Sequence, residues 1–258
     1  MVVAERVQKV LARVGVGSRR EIENWIRQGR VSINGSAAVL GSTVDDSDSI
    51  RIDQQLVRIR RAHRAVLRVV LYHKPVGEIC SRNDPGGRPT VFENLPRLRS
   101  ARWVSVGRLD VNSQGLLLFT TDGDLADRLM HPSSRIEREY RCRIQGEPDR
   151  DAIRQLSEGI RLDGQVSRFE RIRHQGGRGA NRWYEVVVRE GRYREIRRMW
   201  SAVGCRVNRL IRTRYGDLVL PRSLKAGQLR ELDRAEVKAL LRSVDVSHSG
   251  RRSTDSSV

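Results

Sequence analysis

At 258 residues the chain has room for one sizeable core and a smaller module. Its 50 Lys and Arg stand against 31 Asp and Glu, a net charge of +19, and only Lys9, Lys74, Lys225 and Lys238 of the basic residues are lysines. No apolar run approaches the roughly 18 residues that would cross a bilayer, which argues against a membrane partner, and no apolar signal core opens the chain. Cys80, Cys142 and Cys205 are odd in number and widely spaced, and the five histidines are scattered, so neither a disulfide framework nor a metal site is expected. A reducing cytoplasm fits this usage. Guanidinium pairs with phosphate bidentately and stacks on bases, so the charge excess points to nucleic acid.

A first module is expected over residues 1–61. Val7, Val10, Leu11 and Val14 have helical spacing and Gly15 is placed to end that helix. Ser18-Arg-Arg-Glu21 reads as a capping box opening a second helix, with Ile22, Trp25 and Ile26 inward and Gly29 closing it. Val31 and Ile33 alternate ahead of an Asn34-Gly35 turn, a strong hairpin signal, and Ile50-Arg-Ile52 adds a strand. Arg6, Lys9, Arg13, Arg20 and Arg27 share the polar helix faces, with Arg19 beside them, which predicts RNA contact. In layout, and in Ser18-Arg19-Arg20-Glu21, Gly29-Arg30-Val31 and Val31-x-Ile-Asn-Gly35, this module resembles an S4 RNA-binding domain.

A basic connector is expected at 62–66, then a second domain over 67–242, and a disordered Ser-rich tail over 243–258. Within the second domain, Trp103, Val104 and Val106 read as strand and Leu116–Phe119 as a buried one. Gly107 and Gly115 permit turns between them that leave Arg108 and Asp110 near an open edge. Taken alone, such an aspartate is more often a turn former. Glu139–Ile144 alternates, with Tyr140, Cys142 and Ile144 on one face and Arg141 and Arg143 on the other. A helix is expected to open at Gly191, with Ile196, Met199, Trp200 and Val203 inward. Arg192, Arg194, Arg197 and Arg198 would crowd its first turns, where cations oppose the helix dipole unless anions are near.

Gly107-Arg-Leu-Asp-Val-Asn-Ser-Gln-Gly-Leu-Leu-Leu-Phe-Thr-Thr-Asp-Gly-Asp-Leu-Ala126 resembles the signature of the ribosomal small-subunit-type family of pseudouridine synthases. His73-Lys-Pro-Val-Gly77 and Arg194-Glu-Ile-Arg-Arg-Met199 resemble its first and third motifs, and the likeness runs over about 3–242. Glu78–Phe92, Arg209–Asp217 and Glu195, where many relatives carry Gln, point to the B-type branch that acts on large-subunit ribosomal RNA. The resemblance implies an α+β protein. A small α/β S4 domain would precede a catalytic domain with a largely antiparallel mixed sheet flanked by helices and crossed by a cleft.

It further implies an isomerase that turns one uridine of large-subunit ribosomal RNA into pseudouridine after flipping it from its stack. Asp110 would be the catalytic carboxylate, by attack at C1′ or by removing the C2′ proton. Arg197 would pair with it and keep it ionised although buried. Tyr140 would face the uracil, Arg108 would meet RNA or fill the vacated space, and Lys74 and Pro75 would support the pocket wall. No cofactor is implied. The expected partner is ribosomal RNA or a ribosome-assembly precursor, with no DNA, and the expected state is a monomer. The competing reading from another class is a non-catalytic RNA-binding or ribosome-assembly protein.

Overall fold

The computed structural model describes residues 4–57, 67–98 and 101–249. The chain divides into two compact units. The first is built on the residues up to Leu67 and also takes in Pro96–Val104 and Thr121–Gly123. The expected connector at 62–66 lies outside the described residues.

In the first unit, helices Val7–Arg13 and Arg19–Arg27 pack Val7, Leu11, Ile22 and Ile26 against Val31 and Ile50. The second helix is started by the expected reciprocal cap. Ser18 Oγ accepts from the Glu21 amide at 3.1 Å, and the Glu21 carboxylate accepts from the Ser18 amide at 2.7 Å. Asn34 (φ 51°) and Gly35 (φ 87°) turn the hairpin between Val31–Ile33 and Ser36–Ala37. Two consecutive positive φ angles are the two-residue geometry that matches strand twist. Val31–Ile33 pairs on its other side with Ile50–Ile52, which pairs with Gln55–Leu56. Arg19, Arg20 and Arg27 are exposed on their helix.

The second unit is organised by a mixed sheet, nine-stranded among the described residues. Its order runs Arg171–Arg178, Asn181–Val188, Arg138–Gln145, Arg206–Tyr215, Gln114–Thr120, Val69–Lys74, Leu229–Glu231. Leu218–Val219 and Val104–Val106 pair at the side. Val69, Val70, Leu71 and Tyr72 face Leu117, Leu118, Phe119 and Thr120 and are fully buried, so both strands read as unbroken apolar runs. Toward the other edge the strands alternate instead, with Tyr140, Cys142 and Ile144 buried and Arg141 exposed. The α+β class is as expected.

Every pairing along this order is antiparallel except one. Gln114–Thr120 joins Arg206–Tyr215 in parallel through just two residue pairs, Ile211 with Gln114 and Arg212 with Gly115. Gly115 is required there. Its φ is +113°, and a Cβ would stand 2.3 Å from the Arg212 carbonyl oxygen.

Two boundaries differ from expectation. Helix Glu195–Ala202 begins four residues after Gly191, because Arg194 takes a left-handed conformation (φ 49°) at its N-cap. The last helix, Arg234–Ser249, continues past 242, since neither Gly nor Pro interrupts the sequence before Gly250. The expected disordered tail therefore does not begin at Ser243, and 250–258 lie outside the described residues. We predict that Gly115→Ala lowers stability by about 3 kcal/mol or more, by combining backbone strain with a main-chain clash. Urea unfolding monitored by tryptophan fluorescence measures this, and an unaltered midpoint contradicts the account.

Candidate active site

The segment Gly107–Ser113 crosses from Val104–Val106 to Gln114–Thr120, and its main chain is held from two sides. Gly107 turns at φ +76°, and the Ser113 amide donates to the Asp110 carbonyl at 3.0 Å. From the end of strand Val69–Lys74, the wholly buried Lys74 sends its ammonium beneath the loop. Nζ donates to the carbonyls of Pro75 at 2.9 Å, Asp110 at 3.1 Å and Ser113 at 2.9 Å. All three protons of a buried cation are thereby placed on oxygen. Burial lowers its pKa, while the nearby Cys80, Glu78 and Asp110 act in the opposite direction. The Gly77 amide adds a bond to the Val111 carbonyl at 2.8 Å.

Arg197, on helix Glu195–Ala202, grips the loop from the other side. Nη2 donates to the Asn112 carbonyl at 2.9 Å, and Nη1 donates to the Val207 carbonyl at 2.8 Å. Its Nε is buried without a hydrogen-bond partner among the described residues and stands 4.0 Å from Asp110 Oδ2. The two charges meet, but at the outer limit of an ion pair. Asp110, expected to be buried, is 32 % exposed at its side chain, while the Arg197 side chain is 9 % exposed. Asp110 heads a loop that opens on a cleft, whereas Arg197 is locked below it. Burial and the neighbouring Arg194 lower the Arg197 pKa, against the attraction of Asp110 and Cys142.

The cleft measures about 1250 Å³ and is lined by Asp110, Arg108, Tyr140, Arg192, Tyr193 and Arg212, among others. That exceeds the roughly 300–1,000 Å³ of a small-molecule pocket and suits part of a polymer. Tyr140 is 7 % exposed, at the cleft end of strand Arg138–Gln145. Arg108 is exposed and forms no ion pair among the described residues. Asp110, Arg108, Tyr140 and Arg197 are thus brought together, and Lys74 lies beneath the loop that carries Asp110. Arg19, Arg20 and Arg27 belong to the first unit.

Three further residues take on a role only in the fold. Tyr193 is 75 % exposed beside the cleft, an aromatic ring between two arginines in the loop ahead of the helix. Arg212, 2 % exposed, donates from Nε to the Leu116 carbonyl at 2.6 Å and so ties together the strands of the parallel junction. Glu195 is buried at the first helical position and accepts from the Arg192 amide at 3.3 Å. The crowded arginines around it also have carboxylates: Arg192 meets Glu190 at 2.7 Å and Arg198 meets Asp163 at 2.7 Å. The anions that the unfavourable helix end called for are supplied by the protein itself.

Burial raises the Glu195 pKa above its ordinary 4.5, against bonds from Arg192 and Ser167 that lower it. The native fold therefore binds this proton more tightly than the unfolded chain does. The resulting contribution to stability is full below pH 4.5 and is lost as pH rises through the native value. At pH 7 the buried charge is a cost. Glu195→Gln keeps an oxygen for the Arg192 amide and is predicted to be the more stable protein at pH 7. The difference should narrow as pH falls toward 4.5; urea unfolding across that range tests it, and a difference independent of pH contradicts it.

Residues 68–202 match the RNA pseudouridylate synthase family and residues 5–50 match the S4 domain. The ribosomal large subunit pseudouridine synthase B of Yersinia pestis is 57 % identical over 231 residues, 89 % of this chain and 73 % of that protein. Its counterpart in Salmonella typhimurium is 54 % identical over 239 residues, 92 % of this chain and 82 % of that protein. A crystal structure of a pseudouridylate synthase superposes with a TM-score of 0.63 at 28 % identity, covering 91 % of this chain and 99 % of the other. With a cleft of this construction in the matched region, the chain belongs to the RNA pseudouridylate synthase family and carries an S4 domain ahead of its catalytic unit.

Proposed function

We propose that this protein converts a uridine of large-subunit ribosomal RNA into pseudouridine, with Asp110 as the catalytic carboxylate. The observation that carries the proposal is the setting of Asp110. Its carboxylate is partly exposed in the cleft, on a loop fixed by Lys74 and Arg197, with the Arg197 guanidinium 4.0 Å away. The family and the relatives named for the large ribosomal subunit support the choice of substrate.

In this reaction the bond between uracil N1 and ribose C1′ breaks, the detached base turns, and C5 bonds to C1′. The C5 proton is released, N1 gains one, and no electrons are exchanged. The carboxylate acts on the ribose, either by attacking C1′ or by taking the C2′ proton so that a glycal forms. Its position near a cation but outside a tight ion pair suits both routes. Extruding the nucleotide costs a few kcal/mol, which stacking against the largely buried Tyr140 offsets. Arg108, exposed at the cleft, meets the phosphate backbone or fills the place the base leaves. On the first unit, the exposed Arg19, Arg20 and Arg27 add RNA contacts. Three cysteines without a disulfide fit work in the cytoplasm.

Asp110→Asn is predicted to fold and bind RNA as before but to release no tritium from RNA labelled at uridine C5. Substantial turnover by this variant removes Asp110 from the chemistry, and no turnover by the unaltered protein favours the binding-only reading. Arg197→Ala is predicted to lose activity and about 2 kcal/mol of stability, because the part-buried Val207 carbonyl loses its donor and the Asn112 carbonyl its tie to the helix. Full activity with an unchanged urea midpoint contradicts that role.

A further inference from the structure

Strand Arg138–Gln145 has two faces with different chemistry. Arg138 and Tyr140 line the cleft, so Arg141, Arg143 and Gln145 stand on the opposite face. In register, Arg143 lies directly across from Arg209 on one neighbour and Trp183 on the other. Gln145 lies across from the exposed Arg206. The Arg141 guanidinium rests over the Trp183 ring, 5.2 Å from its centre. Arg141 and Arg209 are exposed, and Arg143 and Trp183 are half-buried.

Charge on this face is matched at one end and unmatched at the other. Near Glu139, Arg171 is held at 2.8 Å and Arg214 at 3.4 Å, and Glu137 takes Arg214 at 3.0 Å and Arg189 at 3.3 Å. Toward Gln145, none of Arg141, Arg143, Arg206 and Arg209 forms an ion pair among the described residues. Glu185, across from Arg141, instead lies 4.0 Å from Arg171. Like charges directly across a sheet are destabilising. The Arg143–Arg209 pair therefore weakens the free protein, and a local rule broken in this way is characteristic of a binding surface. Arginines fanned around an aromatic ring match phosphates and bases, whereas a stretch of acidic protein would leave the indole without a stacking partner.

We propose that this face binds the backbone of an RNA segment distinct from the one whose uridine enters the cleft, since the two surfaces lie on opposite faces of one sheet. The proposal rests on the RNA reading above and extends it: the enzyme engages a larger piece of its RNA than the strand that carries the target uridine. The test uses two probes, a short stem-loop carrying a uridine in its loop and a transcript spanning a whole domain of large-subunit ribosomal RNA. The variant is Arg141→Gln/Arg143→Gln/Arg209→Gln in the full chain.

Its affinity for the long transcript is expected to fall at least about tenfold. The slope of log Kd against log salt should decrease by about 2 to 3, with Arg209→Gln alone giving about a third of that change. The stem-loop should lose far less. Without RNA the triple variant should unfold at the same or a higher temperature, because a repulsion has been removed. Unchanged affinity and slope for the long transcript overturn the proposal, as does an equal loss on both probes, which reflects net charge alone. Should the unaltered protein bind neither RNA, the RNA reading itself fails and takes this inference with it.

Discussion

Two buried cations hold the Asp110 loop by its carbonyl oxygens, and the cleft depends on that grip. Lys74 and Arg197 come from opposite ends of the sequence motifs and meet the same seven-residue segment. Removing a cation from water is costly, and these two are compensated chiefly by main-chain dipoles rather than by a carboxylate. The side chain of Asp110 is thereby left outside a bidentate clamp. It feels the positive field of Arg197 at 4.0 Å while its oxygens remain open to the cleft. A carboxylate sealed into a closed salt bridge would be a structural element; one held near a cation is still available to react.

The same economy governs the wall behind the loop. Tyr72 donates to the Glu78 carboxylate at 2.8 Å, and Asn94 donates to both. Burial pushes the Glu78 and Tyr72 pKa values up, and the Tyr72 hydroxyl donating to the Glu78 carboxylate opposes the rise at Glu78. Phe119 packs against Tyr72 and Phe92 with ring centres 6.3 and 5.4 Å apart, joining the polar cluster to the apolar centre of the sheet. Behind the loop the polar groups of Tyr72, Glu78 and Asn94 are thus joined to one another and backed by aromatic packing.

What the sequence made legible was local. The Ser18–Glu21 cap, the Asn34-Gly35 turn and the alternation from Glu139 to Ile144 each involve neighbours within a few residues, and each formed as read. The grouping of Asp110, Tyr140 and Arg197 was legible only through family resemblance, because periodicity alone does not say which strands adjoin. Contacts between distant segments stayed hidden. Nothing near Lys74 announces that its ammonium lies under residues 36 to 39 positions later. Arg212 is an ordinary member of a basic strand until its burial is known, and Glu195 stands out in the sequence only as a departure from its relatives, not as a buried carboxylate. The helix start was misread because an arginine in the left-handed region carries no signal in its own identity.

The parallel junction has a consequence for timing. It joins Gln114 to Ile211, nearly a hundred positions apart, through two residue pairs, while the pairings beside it close over shorter loops or make longer ladders. Contacts of large sequence separation are slow to form, and a short ladder gives little return until its flanks exist. As the chain leaves the ribosome, each half of the sheet can form early, but the arginine that closes over the loop arrives only after the C-terminal half has been made. The Asp110 loop thus gains its Arg197 contacts only when a segment more than eighty positions further along the chain has been made.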